Sequence, residues 1–477
     1  MSEARARNEL KRDFILQGPL LTVIFVTALP QVISMLIDSV YNMADAFFVS
    51  QIGEAAISAV GINDSLLMII RSIGMGFGMG AASFISRALG ARNDEEASRL
   101  ATTTLITAIA TSCVLVALGS VFIMPLIHFL GATGSVEIYA KDYARWILLS
   151  APITVADTCL SQTLRAEGNT TLAMFGMGSG CIINIILDPL FIHTMGLGVA
   201  GAAIATDISK AVSLFVLAVP YIRRKCLIVL KPSYFTPSKR IYKELAKMGI
   251  PIMLRTSMMS VSMIIMNNIA ASFGDVALAA VSVSNRSLRL VGSAIMGFGH
   301  GFQPIAGYCW GAKKYNRALK AFWYTLAIGA VCGIVLGGLL LIFAKEVILI
   351  FSSNPEMLAL GLIFIRSQSA TLIAHVWVMI ASGLFMAFGQ PVRAGVMGLS
   401  RQLLSLVPCI LIFSYLFGVT GLAYSQAIAD IVSLLLAIFM AVPVIRRLQK
   451  LSVEDDSAGE SLSAEEMQLI EERLGEE

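Results

Sequence analysis

The sequence predicts an all-α polytopic membrane protein, with twelve transmembrane helices in two six-helix lobes related by a parallel, pseudo-two-fold repeat. Three observations predict it. The 477 residues are 57% hydrophobic and 14% charged, with a mean hydropathy of +0.79, whereas a soluble domain carries about 25% charged residues. Apolar runs of roughly 20 residues recur along the chain, each long enough to cross a ~30 Å hydrocarbon layer as a helix, and a helix satisfies its own backbone there. The chain also matches itself at a fixed shift of 221 residues.

Residues 1–15 form a polar, basic N-terminus. The apolar run behind it is too long for a signal-peptide core, carries Pro30 and lacks a convincing small-residue cleavage site, so it is read as a retained first span. Spans are placed near 16–46, 56–85, 99–127, 138–162, 170–192, 198–221, 243–272, 278–307, 318–343, 359–384, 393–416 and 420–444. Lys and Arg gather at alternate connections: the N-terminus, Arg87/Arg92/Arg99, Arg165, residues 223–247, Lys313/Lys314/Arg317/Lys320 and Arg446/Arg447/Lys450. The positive-inside rule then puts both termini in the cytoplasm of a multi-pass plasma (inner) membrane protein.

The expected organisation is an N-lobe at 16–221, a cytoplasmic linker at 222–242, a C-lobe at 243–444 and an acidic tail at 445–477. The bases of the linker fix topology and touch anionic lipid rather than nucleic acid. In the tail, Ser463 and Glu466 fit a capping box, and Met467, Ile470 and Leu474 share one face of a short amphipathic helix. The seven cysteines form no CxxC pattern and read as small core hydrophobes; the four histidines are too scattered for a zinc motif.

The repeat is specific. Pro30 falls on Pro251, "GEAAISAVG" at Gly53 on "GDVALAAVS" at Gly274, and "MGFGMG" at Met75 on "MGFGHG" at Met296. Gly168 falls on Gly389, and near the end the shift becomes 220, with Gly198 on Gly418. Six spans per half is an even number, so both halves enter the membrane from the same side, which is a transporter arrangement. The paired MGFGxG segments are read as close helix packing.

Acids inside apolar spans are costly and usually face a cavity or a partner. The candidates are Asp38, Asp45, Asp157, Asp188 and Asp207, all placed in the first half; the repeat puts Met259, Met266, Val378 and Cys409 opposite the first four. A cation site in one lobe explains the asymmetry. Asp38, Tyr41 and Asp45 lie at i, i+3 and i+7 on one helical face, and Asn184 and Asp188 at i and i+4 on another. Two buried carboxylates can share a proton, or join an amide and a hydroxyl oxygen around Na⁺. The competing reading is a plain ion pair with Arg71.

"LPQVISMLIDSVYNMADAFFVSQIG" resembles the first-span signature of multidrug and toxic compound extrusion (MATE) antiporters, and "RAEGNT" resembles that family's loop after the fourth span. The resemblance covers nearly the whole chain and is closer to the DinF-like and MepA-like branches than to the NorM-like one. It implies the MATE/MOP fold, with Asp45 as the first-span acid and Asn184, Asp188, Thr206 and Tyr41 completing a cation-coupling constellation. It also implies a substrate cleft with Asp38, Asp157, Met177, Met259, Met263 and His375, and a helix bend at Pro30. NorM-like members carry acids in the seventh and tenth spans, where this chain has only His375 to titrate.

The expected function is secondary, multidrug efflux of amphipathic, cationic organic compounds by a monomeric antiporter with alternating access. No cofactor is expected beyond a coupling ion, H⁺ or Na⁺, and no metal site beyond Na⁺ at Asp45, Asp188, Asn184 and Thr206. The 23 methionines suit a promiscuous apolar pocket. No Walker A motif or nucleophile–base pair suggests an ATPase or another enzyme. The alternative is a flippase of the related lipid-linked oligosaccharide type, whose clefts tend to be basic; Arg71, Arg255 and Arg286 would line such a cleft.

Overall fold

The structure, a computed structural model, describes residues 2–52, 54–130, 136–351 and 354–455. The amphipathic helix expected over Ser463–Leu474 lies outside them. The described residues form helices and turns, with no strand among them. The first half contains α1 (Ser2–Gln17), α2 (Leu20–Ser50), α3 (Glu54–Gly90), α4 (Asp94–Val121), α5 (Ile123–Phe129), α6 (Val136–Leu149), α7 (Ala151–Ala166), α8 (Thr170–Pro189) with a π-helical end at Leu190–Thr194, and α9 (Gly198–Ile222). The second half contains α10 (Lys239–Ser272), α11 (Asp275–Gly311), α12 (Tyr315–Ile342), α13 (Ala344–Phe351), α14 (Pro355–Ala370), α15 (Leu372–Ala387), α16 (Pro391–Leu399), a π-helical segment at Ser400–Leu406, and α17 (Val407–Asp455).

These helices supply the twelve spans. Among the described residues, eight segments are long and apolar enough to cross a membrane, and two bent pairs, α6–α7 (49°) and α14–α15 (46°), make ten. The segment Pro391–Ser452 is 62 residues long and holds two spans, because it breaks at Gly418, where φ is 62°. Helix α11 has 37 residues and is long enough to cross, but Asn285, Arg286, Arg289 and His300 make it too polar to qualify on composition. The bends coincide in the repeat: Ser150 and Thr371, the residues at the two breaks, are 221 positions apart.

Backbone conformation carries the repeat further. Helices α3 and α11 end on left-handed residues, Arg92 (φ 60°) and Lys313 (φ 61°); α7 and α15 end at Gly168 (φ 81°) and Gly389 (φ 63°). In all four the next N–H reaches back five residues: Asn93 to Ala88, Lys314 to Cys309, Asn169 to Leu164 and Gln390 to Phe385. This is the Schellman closure, which satisfies carbonyls that a helix end otherwise leaves bare. Arg92 and Lys313 hold that conformation at a cost of about 1 kcal/mol or more, since only glycine adopts it freely.

Two compact units emerge: unit 1 is Met1–Asp13 with Leu36–Met253, and unit 2 is Phe14–Met35 with Leu254–Glu477. The first half of α2 therefore belongs with the second repeat, and the first half of α10 with the first. A division drawn at a 222–242 linker does not contain this exchange. The linker itself lies on unit 1, where Val229 N–H donates to Ser98 Oγ, Thr236 N–H donates to Thr103 Oγ1, and Arg240 pairs with Glu96 at 3.0 Å.

Glycines seat the exchanged segments. In unit 1 a Cβ on Gly249 would lie 2.7 Å from the Gly76 carbonyl oxygen, and a Cβ on Gly80 would lie 3.2 Å from Gly249 Cα. In unit 2 a Cβ on Gly297 would lie 2.5 Å from Val32 Cα, and one on Gly301 would lie 2.4 Å from Ala28 Cα. Gly76/Gly297, Gly80/Gly301, Val32/Met253 and Ala28/Gly249 are all repeat mates at 221. The MGFGxG segments are thus two copies of one packing device.

The N-terminal helix α1 is held in each unit separately. In unit 1 Arg12 pairs with Asp94, and Arg92 with Asp13. In unit 2 Arg317 donates to the carbonyls of Ile15 (3.0 Å) and Gly18 (2.6 Å), closing the helix end. Five of the seven cysteines are buried, in keeping with a packing role.

The RAEGNT loop between α7 and α8 buries a carboxyl group. Glu167 is almost fully enclosed; Asn169 Nδ2 donates to its Oε2 at 3.1 Å, and Cys226, Tyr221 and the Ile228 N–H also bond to it. Burial pushes this carboxyl up to about 8, against the lowering effect of those bonds. Its folded pKa is raised, so its contribution to stability is greatest below the unfolded carboxyl range and declines as pH rises through about 8. Glu167→Gln is expected to flatten that decline. Between about pH 6 and pH 8.5 the melting temperature of the wild type should fall by about 5 °C more than that of the variant, read by intrinsic fluorescence in detergent.

Candidate functional site

Tyr41 and Asp45 come from the second half of α2, Asn184 and Asp188 from α8, and Thr206 from α9; all lie in unit 1. Helical spacing brings them together. Asn184 Nδ2 donates to Asp188 Oδ1 at 3.2 Å and to Thr206 Oγ1 at 3.4 Å, and the Tyr41 hydroxyl is hydrogen-bonded to Thr206. Asp188 is 0% exposed and Asn184 1%, and Asp188 lies within electrostatic reach of Asp45. Three buried oxygens here have no hydrogen-bond partner among the described residues: Asp45 Oδ1, Asn184 Oδ1 and Asp188 Oδ2. Burying carboxylates without compensation costs several kcal/mol per charge. A hydrogen bond or a cation at these oxygens would remove that cost.

Neither Asp45 nor Asp188 forms an ion pair among the described residues. Arg71 acts on Asp45 electrostatically without pairing with it, and itself stands in the field of Asp38, Tyr41, Asp64 and Tyr143. Asp64, which is exposed on α3, also acts on Asp45; it stands seven residues before Arg71 on the same helical face, a spacing the sequence displays. No group of three or more His, Cys, Asp or Glu side chains able to hold a metal ion occurs among the described residues. The convergent donors are a mixed set of carboxylate, amide and hydroxyl oxygens.

The cleft residues fall into different settings. Asp38 is half-buried and accepts from Asn42 Nδ2 at 3.2 Å. Asp157 is 6% exposed and fully engaged: Ser213 Oγ donates to Oδ1 at 2.6 Å, and Lys210 Nζ donates to Oδ2 at 3.4 Å. Its charge is therefore balanced within unit 1. Lys210 was legible as a lone base in the apolar run of α9. Lys210→Met is expected to destabilise the protein by on the order of 3 kcal/mol, because it strands a buried carboxylate, and Asp157→Asn in the same chain should restore most of the loss. Thermal melting of the two single variants and the double variant measures this. Met177 on α8 is half-buried.

In unit 2, Met259 is 40% exposed, and Met263 Sδ accepts from Asn285 Nδ2 at 3.8 Å. His375 is buried in α15. The expectation that membrane acids stop with the first half is corrected by Asp430, which is buried in α17 and bound by Arg401 Nε at 2.7 Å. Asp430 is a single acid inside "SQAIADIVSLLLA", and nothing in hydropathy hides it. Pro30 stands inside an unbroken helix, α2, where Ser34 Oγ donates to its carbonyl at 2.8 Å.

Comparison with known proteins identifies the family of the whole chain. The multidrug export protein MepA of Staphylococcus haemolyticus is 27% identical over 425 residues, covering 88% of this chain and 93% of that protein. Among solved structures, an "outward-facing conformation of a multidrug resistance MATE family transporter of the MOP superfamily" superposes with a TM-score of 0.85 at 27% identity, covering 91% of this chain and 98% of that one. A MATE crystal structure "in the bent conformation" gives 0.86 at 27% identity, covering 93% and 99%. The MatE family model matches residues 30–190 and again 251–411, once for each repeat. By this double match, spanning more than half of its residues, the chain belongs to the MatE family.

Proposed function

We propose that this protein is a secondary antiporter of the plasma membrane that exports amphipathic organic cations in exchange for H⁺ or Na⁺ by alternating access, with both termini in the cytoplasm. The observation that carries the reading is the set of three unpartnered, buried oxygens on Asp45, Asn184 and Asp188. A site that binds a small cation reversibly needs acceptors that the fold leaves unused. Relatives named as multidrug export proteins support the direction of transport and the breadth of cargo. When a cation neutralises Asp45 and Asp188, the cost of enclosing them falls. Helix α2 can then bend at Pro30, where a backbone donor is missing; a relative of known structure has been solved in a bent form. For a singly charged cation exchanged one for one, no net charge crosses the membrane, so the drive is the ion concentration gradient: each tenfold of it, about 1.4 kcal/mol, supports about a tenfold cargo gradient.

The test is efflux of a cationic dye from proteoliposomes under an imposed pH or Na⁺ gradient. Gradient-dependent efflux is the expected result, and whichever gradient drives it identifies the ion. A protein that stays folded yet moves no dye under either gradient would refute the reading.

A further inference from the structure

A second polar cluster is built wholly within unit 2, and its charge is opposite in sign. Arg401 lies in the π-helical segment Ser400–Leu406 and binds Asp430. Such π turns are rare and occur mostly at functional sites. The repeat mate of Arg401 is Gly180, inside an ordinary stretch of α8; the first half has its own π segment ten residues further on, at Leu190–Thr194, so a π turn at this position, and its guanidinium, are found in the second half alone among the described residues. Arg255 on α10 is half-buried and lays its stem along Gly398, where a Cβ would come within 3.1 Å of Arg255 Cδ. Among the described residues Arg255 has no ion-pair partner. His375 is 7% exposed, its Nδ1 has no hydrogen-bond partner among the described residues, and the charges that act on it are those of Arg401, Asp430 and Arg255.

Asp430 balances Arg401, and Arg255, packed along Gly398 three residues before Arg401, has no ion-pair partner among the described residues, so one positive charge is left without a counter-charge there. Such a charge among apolar helices is costly and marks a functional site by default. Met259 and Met263 follow Arg255 at i+4 and i+8, which gives the same helix face an adaptable apolar surface.

We propose that Arg255, His375 and Arg401 form a binding site for the carboxylate of a singly charged, amphipathic organic acid. The guanidinium fork matches a carboxylate in plane and spacing, and the single uncompensated charge suits a monoanion better than a phosphate dianion. His375 Nδ1 adds a further polar atom. The site uses none of the coupling oxygens of unit 1, so this inference goes beyond the antiport reading and does not rest on it.

The test is equilibrium binding of tritiated 1-naphthylacetate, with 1-naphthylacetamide as the neutral competitor, to the full-length protein in phosphatidylcholine nanodiscs. No ion gradient is applied, so a failure of coupled transport leaves the result readable. The acid is expected to bind at least about tenfold more tightly than the amide. Arg255→Met should abolish that preference and Arg255→Lys should keep about a third of it; His375→Asn, which retains both guanidiniums, should weaken the acid by about threefold. Equal binding of acid and amide to the wild type, or a preference that survives in a folded Arg255→Met variant, would overturn the proposal. So would loss of binding when phosphatidylglycerol replaces phosphatidylcholine, which assigns the site to a lipid headgroup.

Discussion

Asp45→Asn and Asp188→Asn are each expected to reduce gradient-driven dye efflux by about 100-fold or more, to the level of empty liposomes, while the protein remains folded and monodisperse. The substitution keeps shape and removes charge, so it imitates the neutralised carboxyl permanently. A site that cannot regain its charge cannot take up a fresh cation, and the cycle stops whatever the gradient. Stability should hold or rise, because an uncompensated buried charge is removed. Thr206→Val and Tyr41→Phe should act more weakly, about tenfold, since each deletes a hydrogen bond of the network and leaves both carboxylates in place. Asp157 is the contrast. Its charge is held by Ser213 and Lys210, so Asp157→Asn should lower stability and leave coupling to the ion intact. Proteoliposome efflux, with melting temperature measured on the same preparations, separates the two behaviours. If Asp45→Asn and Asp188→Asn both pump at the wild-type rate, the unpartnered oxygens are structural and the coupling site must be sought elsewhere.

The repeat was legible in the sequence because the shift of 221 holds without a gap over long stretches, and each pairing has a physical reason. Gly168 and Gly389 share a left-handed backbone, and so do Arg92 and Lys313, though neither of the last two is a residue that advertises it. The bend at Ser150 has a signal in Pro152 just after it; the matching bend at Thr371 has none, and only the repeat would have located it. Helical spacing put Tyr41 with Asp45 on one face and Asn184 with Asp188 on another, but that the two pairs and Thr206 make one constellation came only from the family resemblance. Helix α1 and the exchange of the first halves of α2 and α10 were not legible. A hydropathy profile reports that a segment is buried, not which neighbour buries it. Lys210 and Asp430 were visible as charges in apolar runs, but a single charge does not name its partner. The partners, Asp157 and Arg401, lie 53 and 29 residues away in the chain. They changed the electrostatic reading of both units: among the described residues, Asp45 and Asp188 of the first stay without an ion pair, and so does Arg255 of the second.

Gly301→Ala is expected to be among the most destabilising single-methyl additions in this chain. The new Cβ would lie 2.4 Å from Ala28 Cα and 2.8 Å from Ala28 N, atoms of a helix backbone that cannot rotate out of the way. Separation to ordinary contact requires moving the first half of α2 by roughly 1 Å, and overpacking of this kind costs about 1–3 kcal/mol or more. Gly297→Ala meets Val32 Cα at 2.5 Å on the adjacent turn and should behave alike. Their repeat mates need not. At Gly76 the nearest atom is Met253 Cε, the free end of a flexible side chain, so Gly76→Ala should cost distinctly less. Gly292 and Gly338 provide the control, because nothing lies within 4 Å of a Cβ at either. Both are helical, and alanine there should be neutral or stabilise by up to about 1 kcal/mol. Melting temperature and monodispersity in detergent, compared across the five variants, read the order directly: Gly301 and Gly297 worst, Gly76 intermediate, Gly292 and Gly338 harmless. A ranking in which Gly301→Ala melts with Gly292→Ala would mean that α2 is not seated on α11 through these glycines, and that the exchanged segment is held by side-chain contacts that can yield.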